Sequence, residues 1–194
     1  KDIDVINPAI SFIATAMIPL WNNFTSNIVD VERDTLCISA KDVEKYKKPN
    51  SKVLISVNQA GVSADYKSLR EVFDGFIIED CAHSCWTPGA GHGGDCAVWS
   101  FQAVKTMPTG DGGMIYLNDK KKYEKLKSLS FHGWGSDDPW SRHQKSFGKK
   151  NYYTKHWNYE IENLGYKYNM NDFMAAVGIE QLKKINIFNK KRTM

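Results

Sequence analysis

Short runs of apolar, β-rich residues recur along the chain, with helical or polar segments between them. Residues 52–57 carry VLISV, 75–79 read GFIIE, 96–101 read CAVWSF and 114–117 read MIYL. Such runs are apolar on both faces, which fits strands covered by helices above and below. Strands alternating with helices predict a mostly parallel α/β sheet. Between the runs, residues 9–18 read as a helix stopped by Pro19, and 27–31 as a short strand. Ser39 can cap a helix over 40–46 and Asp65 one over 66–73. Residues 119–129 form a helix with lysines on its wet face. A last helix runs from Asn171, a candidate cap, to Ile185, and its apolar stripe is expected to face a core.

The chain has 194 residues, 42% hydrophobic and 25% charged. That composition is globular and excludes global disorder. The longest apolar stretch, 9–21, contains Ser11, Thr15 and Pro19 and is shorter than the ~20 residues that span a bilayer. No membrane partner is expected. The chain starts at Lys1 without a signal-peptide pattern and ends in Lys190-Lys191-Arg192-Thr193-Met194 without a glycine stop. Both ends read as cuts, so a piece of a longer protein is expected. Four cysteines are too few for a disulfide scaffold, and free thiols in a reducing cytoplasm are the expectation. Cys81, His83, Cys85 and Cys96 raise a zinc alternative, but their spacing matches no common zinc pattern.

The net charge of +4 is a weak pointer to an anionic partner. From 141 to 159 no acidic residue occurs, and Arg142, Lys145, Lys149, Lys150 and Lys155 alternate with Phe147, Tyr152, Tyr153 and Trp157. Three readings stand: single-stranded nucleic-acid binding, a solvated loop, or an excursion that meets a phosphorylated substrate.

Ligands of open α/β sheets sit beyond the carboxyl ends of the strands. That rule singles out Asn58-Gln59, Asp80, His83 and residues 100–105. Asp80 ends a buried run, where a carboxylate is costly without a cationic partner. Lys105 follows past the next strand, so sheet folding can bring the two together. The turn Thr109-Gly110-Asp111-Gly112-Gly113 lets backbone approach a ligand closely.

These segments, EDCAHS at 79–84, SFQAVK at 100–105 and TGDGG at 109–113, resemble the DegT/DnrJ/EryC1/StrS family of sugar aminotransferases, which depend on pyridoxal 5'-phosphate. Phe131-His132-Gly133, GYKYNMNDFMAAVGIEQLKKI at 165–185, and upstream AISFIATA, NIVDVERDT and SVNQAGVSADYKSL are similar to the family in the same order. The resemblance implies a three-layer α/β/α, fold-type-I large domain, of which residues 1–194 are the central part. A phosphate-gripping segment before it and a small closing domain after it would be absent. It further implies that Lys105 forms the Schiff base with the cofactor aldehyde and then acts as general base. Asp80 would pair with the pyridinium nitrogen, His83 with the ring or its phenolic oxygen, and Ser100 with the phosphate. Asn169 would reach a phosphate, that of the neighbouring subunit in a homodimer. Gln102, where many members carry His, joins the cofactor-binding set. The implied reaction moves an amino group from glutamate to a keto sugar linked to a nucleotide, in polysaccharide biosynthesis. The basic-aromatic segment would then meet the sugar nucleotide rather than nucleic acid. A cofactor-binding fragment or assembly module without turnover is the alternative.

Overall fold

The structure, a computed structural model, describes residues 2–135 and 161–192. The basic-aromatic segment 141–159 lies outside the described residues. In chain order the elements are β1 (Asp4–Pro8), α1 (Ala14–Trp21), β2 (Thr25–Val29), α2 (Ala40–Tyr46), β3 (Ser51–Val57), α3 (Tyr66–Val72), β4 (Phe76–Asp80), β5 (Cys96–Ser100), β6 (Gly113–Leu117), α4 (Lys120–Ser130), α5 (Asp172–Leu182) and α6 (Ile185–Arg192). The strands form one sheet in the order β2-β1-β3-β4-β5-β6. β1 pairs in parallel with β2 and β3, β3 with β4, and β4 with β5. The expected mostly parallel sheet is present.

Its core follows from the apolar runs. Ile6, Val29, Leu54 and Ile77 are buried in one cluster with Val43 of α2, with Leu69 of α3 and with Phe73 just after it. Each fully buried side chain of this size contributes roughly 1.5–3 kcal/mol. Local chemistry sets the helix starts. Ser39 Oγ accepts the Asp42 N–H, and Asp65 Oδ1 accepts that of Ser68 at 3.1 Å. Asp119 does the same for Lys122 at 3.1 Å, and so opens α4.

Two expectations are corrected. The helix read over 9–18 is instead α1, Ala14–Trp21, with Pro19 inside it. Residues 9–13 serve as the exit from β1, where Ala9 N–H still bonds Val29 O at 2.9 Å. Pro19 lacks an N–H, but its own carbonyl accepts from Phe24 at 2.9 Å, which ties the helix end to the start of β2. The apolar stripe of the last helix meets a core only at its end: α5 contains no buried residue and Phe173 is 87% exposed, whereas Ile185 is buried. The helix also breaks after Leu182 and restarts as α6.

The chain forms two compact units, Lys1–Tyr116 with Asp172–Met194, and Leu117–Asn171. In the second, α4 is followed by antiparallel bridges Phe131↔Lys167 and Trp134↔Ile161. Tyr166 and Tyr168 stack at 4.9 Å, and Lys167 Nζ stands 4.5 Å over the Phe131 ring.

Candidate active site at the carboxyl ends of the strands

Because β1, β3, β4 and β5 run the same way, their carboxyl ends share one edge of the sheet. At that edge β4 ends in two adjacent carboxylates that the alternation of a strand sends to opposite faces. Glu79 is fully buried. Its Oε1 accepts from Asn58 Nδ2 and Gly91 N–H, both at 2.7 Å, and from Cys81 Sγ at 3.3 Å. Its Oε2 accepts from the N–H groups of Gly93 at 2.8 Å and Gly94 at 3.2 Å. Backbone N–H groups thus satisfy the oxygens of a buried carboxyl group. Asn58 extends the clamp, its Oδ1 accepting from Ala64 N–H at 3.1 Å and Tyr66 Oη at 3.0 Å. Sequence reasoning marked Asn58 by its strand-end position but assigned Glu79 nothing. A carboxylate inside an apolar run is a signal that donors must converge on it.

Asp80, on the other side of β4, accepts the Ala82 N–H at 2.9 Å. Burial pushes its carboxyl above the ordinary value; the Ala82 bond and the nearby His83 and Lys105 charges offset this only in part. The same surroundings lower His83, through burial first and then Lys105, against the pull of Asp80. Asp80, His83 and Lys105, read from the sequence as partners, therefore lie within electrostatic reach of one another.

Lys105 is presented by a loop closed at its neck. Phe101 N–H bonds Gly112 O, and Thr109 N–H bonds Phe101 O, both at 2.8 Å. Gln102 and Gly110 form a parallel bridge. Phe101 and Met107 are buried and anchor the loop. Within it, Lys105 N–H bonds Gln102 O at 2.9 Å, and Gln102 Oε1 accepts Val104 N–H at 3.0 Å. Ser100 Oγ accepts from Gln102 N–H at 3.4 Å. Gln102 and Ser100 thus shape the Lys105 loop.

His83 and Lys105 line one cleft of about 870 Å³, together with Gln59, Trp86, Asn186 and Arg192. Arg192 Nη2 reaches the Lys105 carbonyl at 3.5 Å. Trp86 and the polar wall from α6 carry no motif that would have revealed them in the sequence. Asn169 belongs to the second unit, where its N–H bonds Ser130 O at 3.1 Å and its Oδ1 accepts from Lys167 Nζ. Among the described residues, no three His, Cys, Asp or Glu side chains converge as metal ligands would.

The profile of the DegT/DnrJ/EryC1/StrS aminotransferase family matches residues 1–194. The chain belongs to this family. It is 32% identical over 196 residues to the spore coat polysaccharide biosynthesis protein SpsC of Bacillus subtilis, covering 97% of this chain and 48% of SpsC. It is 34% identical over 200 residues to the Methanocaldococcus jannaschii protein MJ1066, covering 99% of this chain and 50% of that one. The fold of the Streptococcus pneumoniae putative sugar aminotransferase Spr1654, in its PMP form, superposes with a TM-score of 0.81 at 27% identity, over 95% of this chain and 51% of that one. The sheet and helices are thus the three-layer α/β/α architecture expected. The chain spans about half the length of the curated relatives it matches.

Proposed function

We propose that the complete protein is a pyridoxal-phosphate-dependent aminotransferase and that this chain is the central part of its large domain. One observation carries the reading: Asp80, His83 and Lys105 lie within electrostatic reach of one another at the carboxyl edge of a parallel sheet, with His83 and Lys105 lining a cleft. The donor set fits the cofactor. A carboxylate whose ionisation burial opposes is stabilised by a protonated ring nitrogen, and a half-buried lysine amine can hold an aldehyde. Bound there, pyridoxal phosphate supplies an electron sink for the carbanion left when the donor's Cα loses its proton.

The chain's own groups then have defined tasks. Asp80 keeps the ring nitrogen protonated. Lys105 would hold the aldehyde, and its amine, when free, would serve as the general base for the donor's Cα proton. His83, held below the ordinary imidazole value by burial first, would meet the ring as a neutral group at pH 7. Ser100 would sit by the phosphate, Gln102 would belong to the cofactor-binding set, and Asn169 would reach a phosphate across a homodimer interface. Glutamate is the proposed donor and a nucleotide-linked keto sugar the acceptor. The spore coat polysaccharide protein SpsC and the sugar aminotransferase Spr1654, as named, support a sugar acceptor. Four free cysteines suit the reducing cytoplasm where nucleotide sugars are made.

Borohydride reduction of the complete, cofactor-loaded protein followed by peptide mapping tests this. The expected result is a pyridoxyl adduct on Lys105. An adduct elsewhere, or none, rejects the assignment. Adduct formation without amino transfer from any donor would favour the non-catalytic binding module.

A further inference from the structure

The loop leaving β4 turns sharply at Ser84, where Thr87 N–H bonds the Ser84 carbonyl at 3.1 Å. Trp86 is the third residue of that turn, with φ of 67°. The third position of a turn with positive φ is ordinarily taken by Gly or Asn, and a bulky side chain there is an outlier. Elsewhere the same loop obeys the rule, since Gly89 and Gly91 stand at φ of 82° and 92°. Trp86 is also 58% exposed and lines the cleft with His83 and Lys105. Conformation and solvation both disfavour tryptophan here, and the Glu79 clamp on this loop uses backbone groups of other residues. Side chains held against such preferences cluster where ligands are gripped.

We propose that Trp86 is a specificity-determining contact for the acceptor, offering its indole face to a flat apolar ring. This rests on the aminotransferase reading of the cleft. An amino-acid donor is small and charged and gains little from an indole face. A nucleotide sugar carries two surfaces that stack on one, the C–H face of the sugar ring and the π face of the base. Loss of Trp86 should therefore divide the two substrates rather than weaken both.

W86G and W86F in the complete, cofactor-loaded protein test this. W86G places the residue that suits the turn, so its melting temperature should stay at or near that of the parent. It should raise the acceptor KM by about tenfold or more. The donor KM and single-turnover rate with glutamate should stay within about twofold. W86F, which keeps an aromatic face, should restore most of the acceptor affinity. Calorimetric titration with UDP and dTDP alone separates the two surfaces: weakened nucleotide binding in W86G assigns the base, and unchanged nucleotide binding with a raised acceptor KM assigns the sugar ring. Unchanged acceptor constants and nucleotide affinities in W86G overturn the proposal. So does an equal loss toward donor and acceptor, which marks a structural residue. A parent inert toward every amino donor rejects the aminotransferase reading, and the nucleotide titration still decides whether Trp86 stacks.

Discussion

Asp4 and Asp80 show how position decides what a buried carboxylate is for. Asp4 opens β1 at the amino edge of the sheet and is fully buried. Burial alone would raise it, but Ser51 Oγ at 2.6 Å, Lys48 Nζ at 2.9 Å and Asn27 Nδ2 at 3.0 Å together hold it below the ordinary 3.8. Asp80, at the opposite edge, is pushed up by burial. The two have opposite signs in stability. The folded state favours ionised Asp4, so its contribution is complete above the ordinary value and is lost as pH falls through its lower folded value. The folded state resists ionising Asp80, so its contribution declines as pH rises from the ordinary value through its higher folded value. D4N should cost about 1–3 kcal/mol at pH 7 and converge on the parent in strong acid. D80N should leave the cofactor-free protein at least as stable at pH 7, yet lower amino transfer on the order of 10²–10³-fold. Urea denaturation across pH, with activity of the loaded protein, checks both. The strand-end rule made Asp80 and Lys105 legible in the sequence. Glu79 was not, because its partners are backbone N–H groups that sequence does not distinguish from any others. E79A would leave the N–H groups of Gly91, Gly93 and Gly94 without their carboxylate, each costing about 1–3 kcal/mol where it stays buried. Limited proteolysis should show cleavage within 85–95 that the parent resists.

At the scale of elements, legibility followed the strength of local punctuation. Ser39 and Asp65 cap the helices expected of them, because a cap is a short-range hydrogen bond that needs only the right residue three positions back. β2 to β6 were found within one or two residues because their runs are bounded by polar or turn residues. α1 was displaced because 9–21 is almost wholly apolar, with Ser11 and Thr15 too sparse to set a helical period, leaving Pro19 as the strongest mark. Pro19 lies in the last turn of α1, where it gives up the bond its N–H would make to the Thr15 carbonyl, and the helix ends two residues later. The closeness of β6 to β5 also had no signal beyond a glycine. A Cβ on Gly113 would stand 2.5 Å from Trp99 O, a backbone atom that cannot swing aside. Gly110, at φ of 92°, has nothing within 4 Å of such a Cβ. G113A should therefore destabilise by about 1–3 kcal/mol through forced separation of the strands. G110A should cost about 1–2 kcal/mol from backbone conformation alone. Only G113A should alter near-ultraviolet circular dichroism through Trp99, so the pair separates close approach from left-handed strain.

For the whole molecule, the distribution of exposed apolar residues carries the argument. Scattered exposed Leu or Ile is ordinary, whereas elements exposed along their length are not. β6 is at the edge of the sheet, and its Met114, Ile115 and Tyr116 are all exposed. α1 exposes Ile18, Leu20 and Trp21, and α5 exposes Phe173, Val177, Ile179 and Leu182. The core of β1, β3, β4, α2 and α3 shows the opposite pattern, so the apolar excess is confined to particular elements. An uncovered apolar edge strand recruits other strands. Relatives about twice as long as this chain have further residues available to cover such faces. Residues 1–194 expressed alone should therefore bind an apolar dye such as anilinonaphthalene sulfonate and elute from size exclusion as associated species. I115K, which puts a charge on the edge strand, should shift that elution toward monomer without loss of helical circular dichroism, since Ile115 contributes little to the core. Monodisperse, dye-silent behaviour of the unsubstituted 1–194 chain would show that these faces are self-sufficient. That outcome would remove the physical reason to seek their cover elsewhere in the protein.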